Sequence, residues 1–456
     1  MTDSDYLLHG RRLYQEWQLC GYTMIENQRL RYLMQNQATL RADTYQNVRE
    51  AIETRSNIQD SMYHNEAENT IGRIILPSSY TGSPRYYNEK FQDAMAILRK
   101  YHKPDLFITM TCNPQWPEIK NNLVVGQYAQ DRPDLVARVF KLRKDALMKD
   151  LVQNAIFGRV LAYLYVTEFQ KRGLPHVHIL LILAEADRPK TSDQVDSIVT
   201  AELPPSPHDP GLSEEEQEQR KSLWDIVLSN MVHGPCGSRN PRSPCMKDGK
   251  CTKNFPKAFQ KETFLDPERN HPVYRRRSPE DGGVTGILRT HVIDSSIIVP
   301  YNVYLSSRYS CHINVEICCS PMAAKYLYKY VTKGPDRAMV SIEAEDSRNE
   351  IKQYHDMRSV GSGEAAHRLF DFHIAENKPA VMALRLHLEN QQHVTFVGGQ
   401  EQECLEQGRE TELTAFFKFN QEEKEAKGDG FNPSLMPMYI EMPEGHVITQ
   451  QKWWKI

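Results

Sequence analysis

Leu174–Leu183 reads LPHVHILLIL, a nearly continuous apolar run holding two histidines, His176 and His178, separated by one valine. A strand sends successive side chains to opposite faces, so both imidazoles point the same way. Two neutral imidazoles on one face can share a metal ion, whereas two unpaired ones in a dry core are costly. Hydrogen-bonded core histidines would give the same local pattern, so the surrounding sequence has to decide. Upstream, GRVLAYLYVTEF (residues 158–169) is a second strand-like run, and QKRGLP joins the two as a hairpin. Glu168 then faces the histidines in the pattern E-x7-H-x-H. One carboxylate and two imidazoles make a three-ligand site with open positions, suited to a divalent ion acting as a Lewis acid on a phosphate. Gln170 could serve instead of Glu168 or beside it.

Two further segments carry chemistry. FITMTCNP is a β-branched run stopped by Asn-Pro, hence a strand, with Thr109 and Thr111 on one face and Asn113 at its end. Their hydroxyls and amide can bond phosphates or unstacked bases. PMAAKYLYKYVTKG has Pro at its start and Gly at its end and reads as a helix. On it Tyr326 and Tyr330 are four residues apart and share a face with Lys333, flanked by Lys329. A tyrosine can attack a phosphodiester as a covalent nucleophile when a nearby cation lowers the cost of its phenolate. Tyrosines at this spacing are also ordinary helix packing.

The remaining pattern is that of a compact α+β protein. A helix is expected over NEKFQDAMAILRKYHKP and another from Asp134 to Leu151, and CHINVEICC is a further strand. Together these predict a central antiparallel sheet with flanking helices. By these signals residues 1–86 form an N-terminal helical region and 87–200 the first part of the sheet domain. Residues 201–228 read as an exposed Pro-rich and acidic insertion, and 229–300 as a basic Cys-rich insert. The tyrosine helix falls in 301–340, and 341–456 is a C-terminal region of weak signal.

Bulk properties narrow the class. The 456 residues are 40% hydrophobic and 25% charged with net charge -3, which argues against a wholly basic nucleic-acid coat. The charge is uneven, however. His233–Arg277 carries 11 Lys/Arg against 4 Asp/Glu, which suggests an anionic partner. The longest apolar run is far too short to span a bilayer, and MTDSDYLLHG lacks the regions of a signal peptide. Nine unevenly spaced cysteines do not read as a disulfide framework, so an intracellular protein is expected.

Within the basic segment, His233, Cys236, Cys245 and Cys251 form H-x2-C-x8-C-x5-C. Four N and S ligands are what a closed tetrahedral zinc site needs, so a structural Zn2+ is a candidate here. The alternative is a turn-rich loop with buried thiols. Lys247, Lys250, Lys253, Lys257 and the run Arg275, Arg276, Arg277 suit a DNA backbone, and Tyr274 could stack on a base.

The order FITMT, then E-x7-H-x-H, then Y-x-x-K-Y-x-x-K resembles the three Rep motifs of HUH endonucleases. With CTKNFPK and VYRRR, the two-tyrosine form resembles the Rep nuclease domain of Helitron rolling-circle transposases, from about Tyr87 to Gly334. This resemblance implies a metal-dependent enzyme, using Mg2+ or Mn2+, that nicks single-stranded DNA at transposon ends and keeps the 5′ end as a phosphotyrosine. By it His176, His178 and Glu168 would hold the metal, Tyr326 and Tyr330 would be the nucleophiles, and Lys333 and Lys329 would stabilise charge. Two tyrosines would allow two successive transfers. A nuclear location would follow from a eukaryotic DNA substrate.

Helitron transposases continue into a helicase, and this chain carries no G-x-x-x-x-G-K-[ST] phosphate loop. Helicase activity would therefore come from another chain. A nuclease part, a truncated element and a non-catalytic or domesticated DNA-binding remnant all fit that departure. A viral or plasmid replication initiator would share the chemistry, and a metal-dependent hydrolase would use the His pair without tyrosine.

Overall fold

The computed structural model describes residues 6–37, 42–44, 74–169, 173–266, 271–319, 349–384, 393–395, 411, 413–414 and 447–450. Its main elements are helices α1 (Arg12–Gln35) and α2 (Pro84–Tyr101), strand β1 (Leu106–Thr111), helix α3 (Pro133–Met148), strands β2 (Val160–Phe169) and β3 (Pro175–Leu183), helices α4 (Ser192–Ile198), α5 (Glu214–Asn230) and α6 (Val303–Tyr309), strand β4 (Ile313–Ile317), helices α7 (Glu350–Met357) and α8 (Ser362–Leu369), and strand β5 (Ala375–Lys378). None of the described helices is long and apolar enough to cross a membrane. The chain divides into two compact units, the first made of Met1–Tyr22, Leu98–Val331 and Gly361–Lys378, the second of Thr23–Ile97, Thr332–Val360 and Pro379–Ile456.

The first unit is built on a five-stranded sheet of order β5-β2-β3-β1-β4, with every neighbouring pair antiparallel. The histidine strand β3 is central, and all nine of its residues are buried. Alternation sorts the strands into two faces. Val177, Ile179, Leu181 and Leu183 join Leu106, Ile108 and Met110 of β1 and Ile313, Val315 and Ile317 of β4 in the main core. Helix α3 lays Val136, Val139, Phe140 and Leu147 into the same core. Fully burying each such side chain contributes about 1.5–3 kcal/mol, so this face holds the sheet flat against α3. Pro133 opens the helix where no N–H is needed, and buried Arg132 pairs with Asp134 at 2.9 Å beside it.

The edge strand β5, sequence AENK, lies in the region where the sequence predicts no element. Its alternation is polar, and a polar network holds it. The hydroxyls of Tyr163 and Tyr165 donate to Glu376 at 2.6 and 2.9 Å, and Lys144 donates to Tyr165 at 2.9 Å.

The stretch expected to be an exposed insertion, 201–228, is buried at its start, over residues 201–204, and again on one side of the helix that follows. Ser213 and Glu216 form a reciprocal cap that starts α5, despite the prolines before it. Trp224 and Val227 of that helix are buried with Leu203, Met231, Ile293, Ile298 and Tyr301 in a second apolar cluster.

In the second unit, Leu30, Leu76, Ile351 and Tyr354 form a small core. Buried Glu26 accepts from the Tyr354 hydroxyl at 2.8 Å and pairs with Arg358 at 2.7 Å. The helical region expected over 1–86 is represented by α1 and the start of α2, while 38–41 and 45–73 lie outside the described residues.

Candidate functional site

The face of the sheet opposite α3 carries the polar residues. Strand register puts Glu168, His176 and Thr111 in one row across β2, β3 and β1, and Val166, His178 and Thr109 in the next. His312 precedes β4, and its carbonyl accepts from the Thr111 N–H at 2.9 Å, which extends the first row. The hairpin therefore brings the carboxylate opposite the imidazoles, as the E-x7-H-x-H spacing predicts.

Each histidine is held through its Nδ1. Thr111 Oγ1 lies 2.6 Å from His176 Nδ1, and Thr109 Oγ1 lies 3.1 Å from His178 Nδ1. Thr111 Oγ1 is also 3.5 Å from His312 Nδ1. With His176 Nδ1–H donating to Thr111, the hydroxyl proton points toward His312, and the Nε2 lone pair of His176 is left bare. That Nε2 is buried and has no hydrogen-bond partner among the described residues. His178 Nε2 lies 3.2 Å from Glu168 Oε2, and the Phe107 ring lies parallel to the His178 ring with centroids 5.9 Å apart. Loss of hydration on burial, then His178 and His312, push His176 down to about 4 against the pull of Glu168. It is thus a neutral imidazole at neutral pH, the form that binds a metal.

A divalent cation fits this chemistry. A buried orphan nitrogen costs about 1–3 kcal/mol unless something ligates it. Hydroxyls on both Nδ1 atoms are the outer-shell partners that a metal-binding histidine needs. The two threonines, expected from the sequence to contact DNA, are engaged with the imidazoles. Asn113 is also occupied: its amide donates to Ser310 O at 2.7 Å and its carbonyl accepts from Gln115 N at 2.9 Å, closing the turn after β1. His312 and Phe107 are the residues that sequence reasoning missed. Both lie on the polar face by simple alternation, which HINVEI and LFITMT displayed.

Tyr326, Tyr330, Lys329 and Lys333 lie outside the described residues, as does Gln170.

The Cys-rich segment makes a second cluster. The ligand atoms of His233, Cys236, Cys245 and Cys251 all lie within 4.8 Å of one another. Among the described residues this is the one group of three or more His, Cys, Asp or Glu side chains that converges so; Glu168, His176 and His178 share a face without closing up. Cys251 Sγ is 3.4 Å from His233 Nε2, and Phe255 stacks on the His233 ring at 4.2 Å. Desolvation raises the Cys251 thiol, but hydrogen bonds with the backbone N–H groups of Phe255 and Lys253 and with Cys245 and Cys236 together bring it below its usual range, while burial and the neighbouring thiols push Cys236 up to about 12.

Within the arginine run, Arg276 is a correction to the sequence reading, while Arg275 and Arg277 stay partly exposed. Arg276 is buried, and its Nη1 donates to the carbonyls of Ala201, Ser295 and Ile298 at 3.0, 2.6 and 2.7 Å. It ties its own segment to two others, at Ala201 and at Ser295–Ile298, and cannot reach DNA from there. Arg277 forks onto Glu202 at 2.9 and 2.8 Å, and Arg275 pairs with Asp196 and Glu202 at 3.3 and 3.4 Å. Tyr274 is buried too, its hydroxyl oxygen accepting from Ile317 N at 2.8 Å, so it stacks on no base. Lys247, Lys250 and Lys253 remain exposed.

Residues 1–181 match the family described as the Helitron helicase-like domain at N-terminus. The matched stretch ends inside β3 and includes Thr109, Thr111, Glu168, His176 and His178, but neither the cysteine cluster nor the tyrosines. Over this stretch the chain is similar to the N-terminal helicase-like domain of Helitrons. No curated protein matches the chain.

Proposed function

We propose, from the Helitron relationship of residues 1–181 and the chemistry of the polar sheet face, that this chain is an HUH-type endonuclease and strand transferase acting on single-stranded DNA. The observation that carries the reading is the buried, unpartnered Nε2 of His176 on the central strand, beside the His178–Glu168 pair. His176, His178 and Glu168 would hold a Mg2+ or Mn2+ ion, which when bound supplies Lewis acidity toward a scissile phosphate.

The protein's own groups do the remaining work. Thr111 and Thr109 fix the two rings so that each presents Nε2 to the same face. His178 Nε2 and Glu168 Oε2, 3.2 Å apart, would both turn to a bound cation. Phe107 lies parallel to His178 on one side of the ring. Tyr326 and Tyr330 would attack the phosphodiester in turn. In each transfer the phenolic oxygen forms the new P–O bond, the 3′ oxygen leaves, and the 5′ end is kept as phosphotyrosine. Lys329 and Lys333 would stabilise the developing negative charge. Exposed Lys247, Lys250 and Lys253, with the part-exposed Arg275 and Arg277, are assigned to the DNA backbone, and buried Arg276 is not.

The test uses labelled single-stranded DNA carrying candidate transposon ends, with Mn2+ or Mg2+. Nicking that is abolished by EDTA and absent from the His176→Ala/His178→Ala protein supports the reading. Nicking that survives both changes rules out this metal site. Binding without any nicking favours a DNA-binding remnant instead.

A further inference from the structure

We infer that His233, Cys236, Cys245 and Cys251 hold one structural zinc ion in a closed Cys3His site, separate from the proposed nuclease metal and independent of whether the chain nicks DNA. Geometry is the first support. A tetrahedral ion with Zn–S of about 2.3 Å and Zn–N of about 2.0 Å puts S and N ligand atoms about 3.6 Å apart, and two S atoms about 3.8 Å apart. The four ligand atoms here lie within 4.8 Å of one another, with Cys251 Sγ 3.4 Å from His233 Nε2. No disulfide competes, since all three cysteines are free.

The second support is the lack of any other reason for the segment to fold. From His233 to Glu262, Cys251 alone is buried. A loop of this length with no apolar core needs a staple. Its local structure is nonetheless defined. Asp248 and Gly249, both at positive φ (50° and 75°), make the two-residue turn of a hairpin that pairs Met246 with Cys251. This hairpin brings Cys245 back to Cys251, with Thr252 N–H donating to Cys245 O at 2.8 Å. Both ends of the segment are fastened to one backbone stretch: His233 N–H donates to Ile297 O and Lys257 N–H to Ser296 O, each at 2.8 Å.

The outer shell also suits bound thiolates. Lys253 N–H donates to Cys251 Sγ at 3.4 Å, and the Ser243 hydroxyl lies 3.3 Å from Cys245 Sγ. Binding forms three Zn–S bonds and one Zn–N bond, with the thiol protons leaving to solvent and His233 bound as the neutral ring.

The experiment is metal analysis of the full chain purified reduced and without chelator, with alkylation mapping of its cysteines. About one zinc per chain is expected, retained in His176→Ala/His178→Ala and lost in Cys236→Ser/Cys245→Ser. Cys236, Cys245 and Cys251 should resist alkylation until a strong chelator is added, while exposed Cys20 reacts throughout. Should the cysteine variant fail to fold, cobalt substitution of the wild-type protein answers instead, with thiolate-to-metal charge transfer and tetrahedral visible bands expected. Zinc-free folded protein, alkylation of the three cysteines regardless of chelator, or a cobalt spectrum without thiolate bands would each overturn the inference. Zinc without nicking leaves it standing and sinks only the nuclease reading; nicking by zinc-free protein does the reverse.

Discussion

Thr111→Val separates a histidine-positioning role from a DNA-contacting one. Valine keeps the shape of threonine and removes only the hydroxyl that sits 2.6 Å from His176 Nδ1. The second partner, His312 Nδ1, lies at 3.5 Å, the outer limit of a hydrogen bond, and should add little. Leaving the buried His176 Nδ1 without a partner costs about 1–3 kcal/mol. Loss of an outer-shell partner of a metal ligand typically weakens metal affinity by about 10–100-fold, which is about 1.4–2.7 kcal/mol and agrees with the first figure. The assay is single-turnover cleavage of single-stranded DNA against Mn2+ concentration. The half-saturating Mn2+ should rise by about 10–100-fold, while the DNA concentration dependence stays close to wild type. Thr109→Val, whose contact is longer at 3.1 Å, should shift it less. An unchanged Mn2+ dependence in folded Thr111→Val protein, or a defect confined to DNA affinity, would refute the positioning role.

Other consequences follow from the same contacts. Arg276→Ala strips the donor from three buried carbonyls and should cost at least about 3 kcal/mol in denaturant unfolding. Lys250→Ala should leave stability alone and reduce the salt dependence of DNA binding; the opposite pattern would return Arg276 to the interface. Glu376→Ala removes the acceptor of both Tyr163 and Tyr165 and should lower stability by about 1–3 kcal/mol, read as a lower midpoint in urea. Burial holds both His176 and His367 at about 4 against the ordinary 6.5. Above pH 6.5 neither matters. As pH falls from there toward 4, the unfolded chain takes up protons that the folded one refuses, so stability should drop by up to about 3 kcal/mol per histidine. His367→Gln should remove its share, and a flat urea midpoint between pH 7 and 4.5 would contradict the burial argument.

Much of the sheet was legible because strand alternation is local. INVEI and the end of LFITMT display the period-two pattern, VLAYLYVTEF and PHVHILLIL are strand-length apolar runs, and the spacing of Glu168, His176 and His178 within those runs gives the shared polar face. The cysteine spacing was legible for a similar reason, since Asp-Gly between Lys247 and Lys250 dictates a tight turn. What escaped was set by distant partners. AENK carries no apolar alternation, and it becomes an edge strand because Tyr163 and Tyr165 reach Glu376 from more than two hundred residues earlier in the chain. Arg275, Arg276 and Arg277 look like a basic patch until Glu202 and three buried carbonyls take them up. The cap Ser213–Glu216 was in plain view, but the prolines and glutamates around it disguised a helix that buries Trp224. That Thr109 and Thr111 each stand beside a histidine escaped the sequence, because only the register shows it.

The most direct test of the central proposal is to trap the protein on single-stranded DNA with Mn2+, run it denatured, and digest the covalent product to find the linked peptide. The account predicts an EDTA-sensitive adduct on the peptide containing Tyr326 and Tyr330, absent from Tyr326→Phe/Tyr330→Phe and from His176→Ala/His178→Ala. DNA cleaved with no adduct, or an adduct that persists without both tyrosines, would contradict it.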